Sequence, residues 1–255
     1  MSVQAFKKVK TPFNDCAVLH EGTMRDGSAY NVIQLDRTHL SDIIALHNKA
    51  IQMLSAEEKA FMLPKPASFF VDHFNRNHGN TVLGVLHNGK LVGESIVLNP
   101  SIEHPKTGMV DMAPVGAPDS ITLIQGVTVL PSYRNNGLMH GMVKAWLNYG
   151  VKADKGHALA EVDVNNIASW ATFLDHGMEI PSIGVDPSDG TVVYNVHETI
   201  PNIEKKRLTQ AFNAVAPGCK TCPIHDIETQ KSMLDQGYVI SGWKKSTKEM
   251  ILRPV

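Results

Sequence analysis

The chain has 255 residues, 43% of them hydrophobic and 19% charged, with a formal net charge of -1. That is the composition of a packed globule rather than of a disordered chain, and near-neutrality excludes the broad basic field that nucleic-acid binding requires. No apolar run approaches the ~20 residues of a membrane-spanning helix.

The N-terminal stretch MSVQAFKKVKTPF lacks the apolar segment of a secretory signal. The three cysteines form no disulfide framework, so a reducing cytoplasm is the expected location. From residue 17 to 35, two semi-alternating apolar runs flank Asp26-Gly27, a hairpin signal. Leu40, Ile43, Ile44, His47, Ile51 and Leu54 then recur at helical spacing. Ser55 and Glu58 have capping-box spacing and open a short helix that must end near Pro64. Residues 67–77 read as another short helix closed by Gly79. Asn88-Gly89 joins two apolar strands as a type I′ hairpin requires. Residues 99–120 are rich in Pro and Gly and aperiodic, a length of loop that is usually functional or mobile.

ITLIQGVTVL (121–130) is nearly continuously apolar, as in a central strand buried on both faces. A helix follows with Leu138, Met139, Met142, Val143, Trp146 and Leu147 on one side. HALAEVDV reads as a strand, IASWATFLDHG as a helix with a glycine stop, and MEIPSIGV and TVVYNVHE as strands around an Asp-Gly turn. The pattern then repeats, with a helix from 203 to 216, a strand near 219–226, a helix over 227–237, and two strands, YVISGW and KEMILRP. Sixty positions apart, NNIASWATFLDHGM and HDIETQKSMLDQGY share Ile, Leu, Asp and Gly.

The junction between the buried strand and the following helix carries Arg134-Asn135-Asn136-Gly137. A helix N-terminus presents unpaired N–H groups and a positive dipole end. A glycine lets a ligand come close to the backbone, and an arginine supplies paired donors suited to phosphate. Together these suit a pyrophosphate. The spacing matches neither G-x-G-x-x-G nor the P-loop.

With these elements in this order, the sequence resembles the GNAT superfamily of acyl-CoA N-acyltransferases, whose R/Q-x-x-G-x-G/A signature reads here as Arg134, Asn135, Asn136, Gly137, Leu138, Met139. The sixth position departs from the family in being Met. AEVDVNNIASWATFLDHGM is similar to a second family stretch, with Glu161, Val162, Asn166, Ser169, Gly177 and Met178 in register. The resemblance covers roughly residues 30–197. It implies an α/β fold with a mixed, mostly antiparallel central sheet, flanked by helices on both faces and splayed between its fourth and fifth strands. It divides the chain into an acyltransferase domain at 1–198 with its N-terminal hairpin, and a C-terminal α/β extension at 199–255, either half of a degenerate second copy or a family-specific cap.

The resemblance further implies acetyl-CoA as acyl donor, with Val127, Thr128 and Val129 along its pantetheine, residues 134–139 at its pyrophosphate, and Asn166, Ser169 and Phe173 beside it. The oxyanion donor would be the backbone N–H of Val129 or its neighbour. Transfer needs a base for the amine, for which Glu161 is the candidate and Asp163, two residues on along the same strand face, the reserve. Gln125 stands near where relatives often carry another Glu. Phe173 replaces the tyrosine that protonates the thiolate in many relatives; Tyr133 and His140 flank the junction as substitutes. Cys219, Cys222 and His225 are too few for a structural zinc site, and no metal is expected.

Two functions stand from this reading. One is an N-acetyltransferase acting on a primary amine of a small molecule or protein, as a monomer or homodimer. The other is an acyl-CoA-binding sensor with little turnover, which Phe173 and Leu123 favour.

Overall fold

The computed structural model describes residues 13, 15–56, 58–60, 64–75, 80–105, 115–186, 189–209 and 217–255. The expected helix stop at Gly79, much of the 99–120 loop and the end of the expected 203–216 helix lie outside these residues.

Strands β1 (Val18–Thr23) and β2 (Ala29–Leu35) form the first hairpin, with Gly27 at φ +85°. Helix α1 (Leu40–Gln52) buries Ile43, Leu46, His47 and Ala50. After it Ser55 and Glu58 make the capping box expected of them: Glu58 accepts from the Ser55 N–H (2.8 Å), and the Ser55 hydroxyl accepts from the Glu58 N–H (3.2 Å). What they open is a single 3₁₀ turn, Glu58–Ala60, before α2 (Ala67–Asn75). Strands β3 (Thr81–His87) and β4 (Lys90–Leu98) meet at Asn88 (φ +50°) and Gly89 (φ +71°), the paired left-handed residues of a type I′ turn.

Strand β5 (Ile121–Val129) leads through a 3₁₀ turn into α3 (Leu138–Lys152). Strand β6 (His157–Asp163), α4 (Ile167–Asp175), β7 (Glu179–Val185) and β8 (Val192–Thr199) follow. Then come α5 (Ile200–Thr209), β9 (Lys220–Pro223), α6 (Ile227–Asp235), β10 (Tyr238–Lys244) and β11 (Glu249–Pro254).

Among the described residues the strands form one sheet in the order β1-β2-β3-β4-β5-β6-β8-β7-β10-β11-β9, antiparallel except for β5 beside β6. The main core lies between the sheet and α3 and α4, around Met142, Trp146, Trp170, Phe173 and Tyr194. A second cluster, including Ile33, Ile43, Phe70 and Ile96, lies under α1 and α2 on the opposite face. The N-terminal hairpin adds one strand ahead of the family pattern, so the expected fourth and fifth strands are β5 and β6.

The order β6-β8-β7 is mirrored as β10-β11-β9, and β7 meets β10 at Ile180 opposite Ile240, sixty positions apart. Asn166 caps α4 by accepting from the Ser169 N–H, and Asp226 caps α6 by accepting from the Thr229 N–H. Trp170 donates to the Val164 carbonyl (3.0 Å) where Gln230 donates to that of Ile224 (3.1 Å). Both helices stop at a left-handed glycine, Gly177 or Gly237. The echo thus extends from turn chemistry to strand pairing.

Candidate active site

The parallel ladder of β5 and β6 runs only from Ile121 opposite His157 to Leu123 opposite Leu159. Beyond Leu123 the two strands part. On its other side β5 stays paired to β4, through a register shift between Glu94 and Ile96 that Gly126 accommodates at φ +61°. The backbone of residues 124–129 therefore lines one arm of a V-shaped opening, and residues 160–163 of β6 line the other.

From the parted end β5 runs through the turn at Pro131–Tyr133 to the start of α3. Gly137 precedes the helix at φ +77°, and no side chain caps it. Asn135 is also left-handed, at φ +61°. The Asn136 amide holds the loop by donating to the carbonyls of Tyr133 (3.3 Å) and Arg134 (3.2 Å). Tyr30 braces it from β2, its hydroxyl donating to the Gly137 carbonyl at 3.4 Å. A Cβ on Gly137 would meet nothing within 4 Å, whereas one on Gly141 would strike the Tyr30 ring. Gly141 is needed for packing; Gly137 is needed for its backbone angle and leaves open space before the helix. Leu138 is buried and Met139 half-buried, and the first-turn N–H groups are donors that could cradle an anion.

Arg134 is not presented alone to that cradle. Its Nε donates to the Val129 carbonyl at 3.3 Å, and its guanidinium pairs with Glu58. The Ser55 N–H, and then Arg134, hold the Glu58 carboxyl below its ordinary range.

Glu161 is half-buried on β6, on the face away from α3, opposite the buried Asn195 of β8. Asn195 donates to the Ser182 hydroxyl at 3.0 Å. Asp163 shares the face but accepts from the Asn165 N–H (2.8 Å), which commits it to the turn. Asn166 and Ser169 are the cap pair of α4. Phe173 is 2% exposed, its ring edge-on to Trp146 at 6.3 Å. Val127 and Val129 are half-buried and Thr128 is buried. Tyr133 is half-buried beside His87, and the exposed His140 lies beside His176. Cys222 faces the core from β9, and His225 is exposed. Among the described residues no three His, Cys, Asp or Glu side chains are grouped as metal ligands.

Residues that the sequence reading left without a role gather on the Glu161 face. Gln125 contacts His73 of α2 at 3.2 Å; the His73 Nδ1 faces the Phe69 carbonyl and so carries the proton, leaving Nε2 to accept from the amide. Glu94, opposite Thr128, is 1% exposed. The Lys65 N–H donates to the His47 Nε2 (3.1 Å), which puts the ring proton on Nδ1, 3.5 Å from the Glu94 Oε1. That is longer than a formed hydrogen bond, and the Glu94 Oε2 has no partner among the described residues. Burial raises the Glu94 carboxyl above its ordinary range, against smaller opposing effects from His47, Thr128 and Lys65. The signal in the sequence was a lone carboxylate in the apolar run KLVGESIVL.

The family model described as "Acetyltransferase (GNAT) family" matches residues 50–178. The GNAT domain of S. lividans PAT superposes with a TM-score of 0.53 at 14% identity, over 74% of this chain and 99% of that one. A protein from Bacillus halodurans gives 0.54 at 14% identity, over 74% and 94%. A putative acetyltransferase from Acinetobacter baylyi ADP1 gives 0.52 at 14%, over 69% and 94%. At these identities the likeness is one of fold. No match was found among curated proteins.

Proposed function

The chain belongs to the GNAT acetyltransferase family, and from that premise we propose that it transfers an acetyl group from acetyl-CoA to a primary amine of a small molecule or protein by direct attack on the thioester. The observation that carries this reading is the parting of β5 and β6 in front of a helix N-terminus with no side-chain cap. The opening has the donors for an extended amide chain along β5 and for a diphosphate at α3.

Acetyl-CoA supplies an acyl group already activated as a thioester. Residues 137–139 receive its pyrophosphate through main-chain N–H groups, and Arg134 adds charge while shared with Glu58. The main chain at Val127 and Val129 aligns the pantetheine, and the N–H of Val129 or its neighbour faces the carbonyl oxygen. Glu161 takes the amine proton from the face away from α3. With Phe173 inside the core, the departing thiolate needs no side-chain acid, since its conjugate thiol is weakly acidic near neutral pH.

The test is release of free CoA thiol from acetyl-CoA in the presence of alkylamines, polyamines and lysine peptides. Glu161→Gln is expected to keep acetyl-CoA binding and lose on the order of a hundredfold in turnover. Unchanged turnover would remove Glu161 from the role. Tight acetyl-CoA binding by the wild type without turnover on any amine would support the sensor instead, the reading that the missing Phe173 hydroxyl favours.

A further inference from the structure

The segment between α1 and α2 lays Lys65 across the bulge of β5. Its main chain is fixed by the His47 ring. Its Cε lies 3.6 Å from where a Cβ on Gly126 would stand, on the strand that lines the V. Its Nζ lies 4.3 Å from the centroid of the Phe69 ring on α2. The charged and titratable groups around it are Glu94 from β4, His47 from α1 and His73 from α2, whose ring lies 4.4 Å from that of Phe69. Glu94 carries an oxygen without a partner. A half-buried primary amine, a carboxyl able to take a proton and the wall of the acyl site thus meet at one bulge.

Resting on the coenzyme reading above, we propose that Lys65 is an internal acceptor, acetylated on Nζ by acetyl-CoA bound in the same molecule. The Lys65 ammonium gives one proton to the Glu94 carboxylate by way of an intervening water, since the two form no ion pair within 4.0 Å. The freed nitrogen lone pair forms the bond to the acetyl carbonyl carbon, and the carbon–sulfur bond breaks with its electron pair on sulfur. A second nitrogen proton passes to that thiolate. The products are Nε-acetyl-lysine and CoA thiol, and the Glu94 proton returns to solvent. Burial already lowers the affinity of Lys65 for its proton, which raises the fraction present as nucleophile at neutral pH.

The full chain is incubated with acetyl-CoA, and modification is followed by peptide mass spectrometry at several protein concentrations, with acetyl-CoA binding measured in parallel by calorimetry. Lys65 is expected to be acetylated at least about tenfold faster than the exposed Lys220 and Lys245, because it is held beside the donor. Its rate is expected to be independent of protein concentration, as an intramolecular transfer demands. In Glu94→Gln that rate should fall and its pH profile move to alkaline values, which a merely structural role for Glu94 would not produce. Binding of acetyl-CoA with Lys65 labelled no faster than the exposed lysines overturns this inference alone. No binding overturns it together with the coenzyme reading.

Discussion

Glu94 is buried without a formed ion pair, so its ionisation costs more in the folded chain than in the unfolded one. A carboxyl whose folded pKa is raised contributes stability that is fully present below its unfolded pKa and is lost as pH rises through the folded value. Glu94→Gln is therefore expected to be more stable than wild type at neutral pH, the difference vanishing below about pH 4; denaturant melts across that range check it. Glu58 sets the opposite case: the Ser55 N–H and Arg134 hold its carboxyl below the ordinary range, and it shares the Arg134 guanidinium. Glu58→Gln keeps an oxygen to accept from the Ser55 N–H and loses the partly exposed ion pair, which should cost about 0.5 kcal/mol; by releasing Arg134 it should tighten acetyl-CoA binding, as titration of both proteins would show. Arg134 and Gly137 were legible as candidates because RNNG at a strand–helix junction joins an arginine to a helix start with a glycine, the chemistry an anion needs. The Glu58 partner was not legible, because a pairing across seventy-six positions leaves no local trace.

The first turn of helix α3 has no side-chain cap. Gly137→Ala must place a Cβ on a left-handed backbone, at a cost of about 1–2 kcal/mol, and the methyl enters the open space where an anion would approach. Acetyl-CoA affinity is expected to fall at least about tenfold while the melting temperature drops only a few degrees, as calorimetry and thermal melts would show. The hairpin at Asn88-Gly89 and the Ser55–Glu58 box were readable because both are local chemistry. The length of what followed the box was not, because one 3₁₀ turn and a longer helix begin with the same cap. The bulge in β5 announced itself only as Gly126 in an apolar run, and its meaning depends on Glu94 and Thr128 across the ladder.

At the scale of the molecule, β10 joins β7 and carries the sheet on through β11 and β9. Glu179 on β7 accepts from Arg253 of β11 at 3.1 and 2.6 Å and from Lys206 of α5 at 2.7 Å. Inside, the Tyr194 hydroxyl donates to the Gln230 Oε1 at 2.6 Å, and Trp170 meets Trp243 edge-on. The strand order of β10-β11-β9 mirrors β6-β8-β7, and Thr221 and Pro223 stand sixty positions on from Glu161 and Asp163. Neither the candidate base nor its reserve has a carboxylate counterpart there, and β10 pairs along the β7 edge. Tyr194→Phe leaves a buried acceptor on Gln230 and should cost about 1–3 kcal/mol, measurable by urea unfolding. The shared Ile, Leu, Asp and Gly pointed to this echo, but the junction of Ile180 with Ile240 is a long-range pairing that no local pattern encodes. Everything proposed of the site rests on one property, that the V and the α3 N-terminus take up acetyl-CoA. Calorimetric titration of acetyl-CoA into the wild type and into Arg134→Ala tests it most directly. Micromolar binding by the wild type, weakened in the variant, is expected; a wild type that takes up no acetyl-CoA would leave the V and the α3 N-terminus without that role.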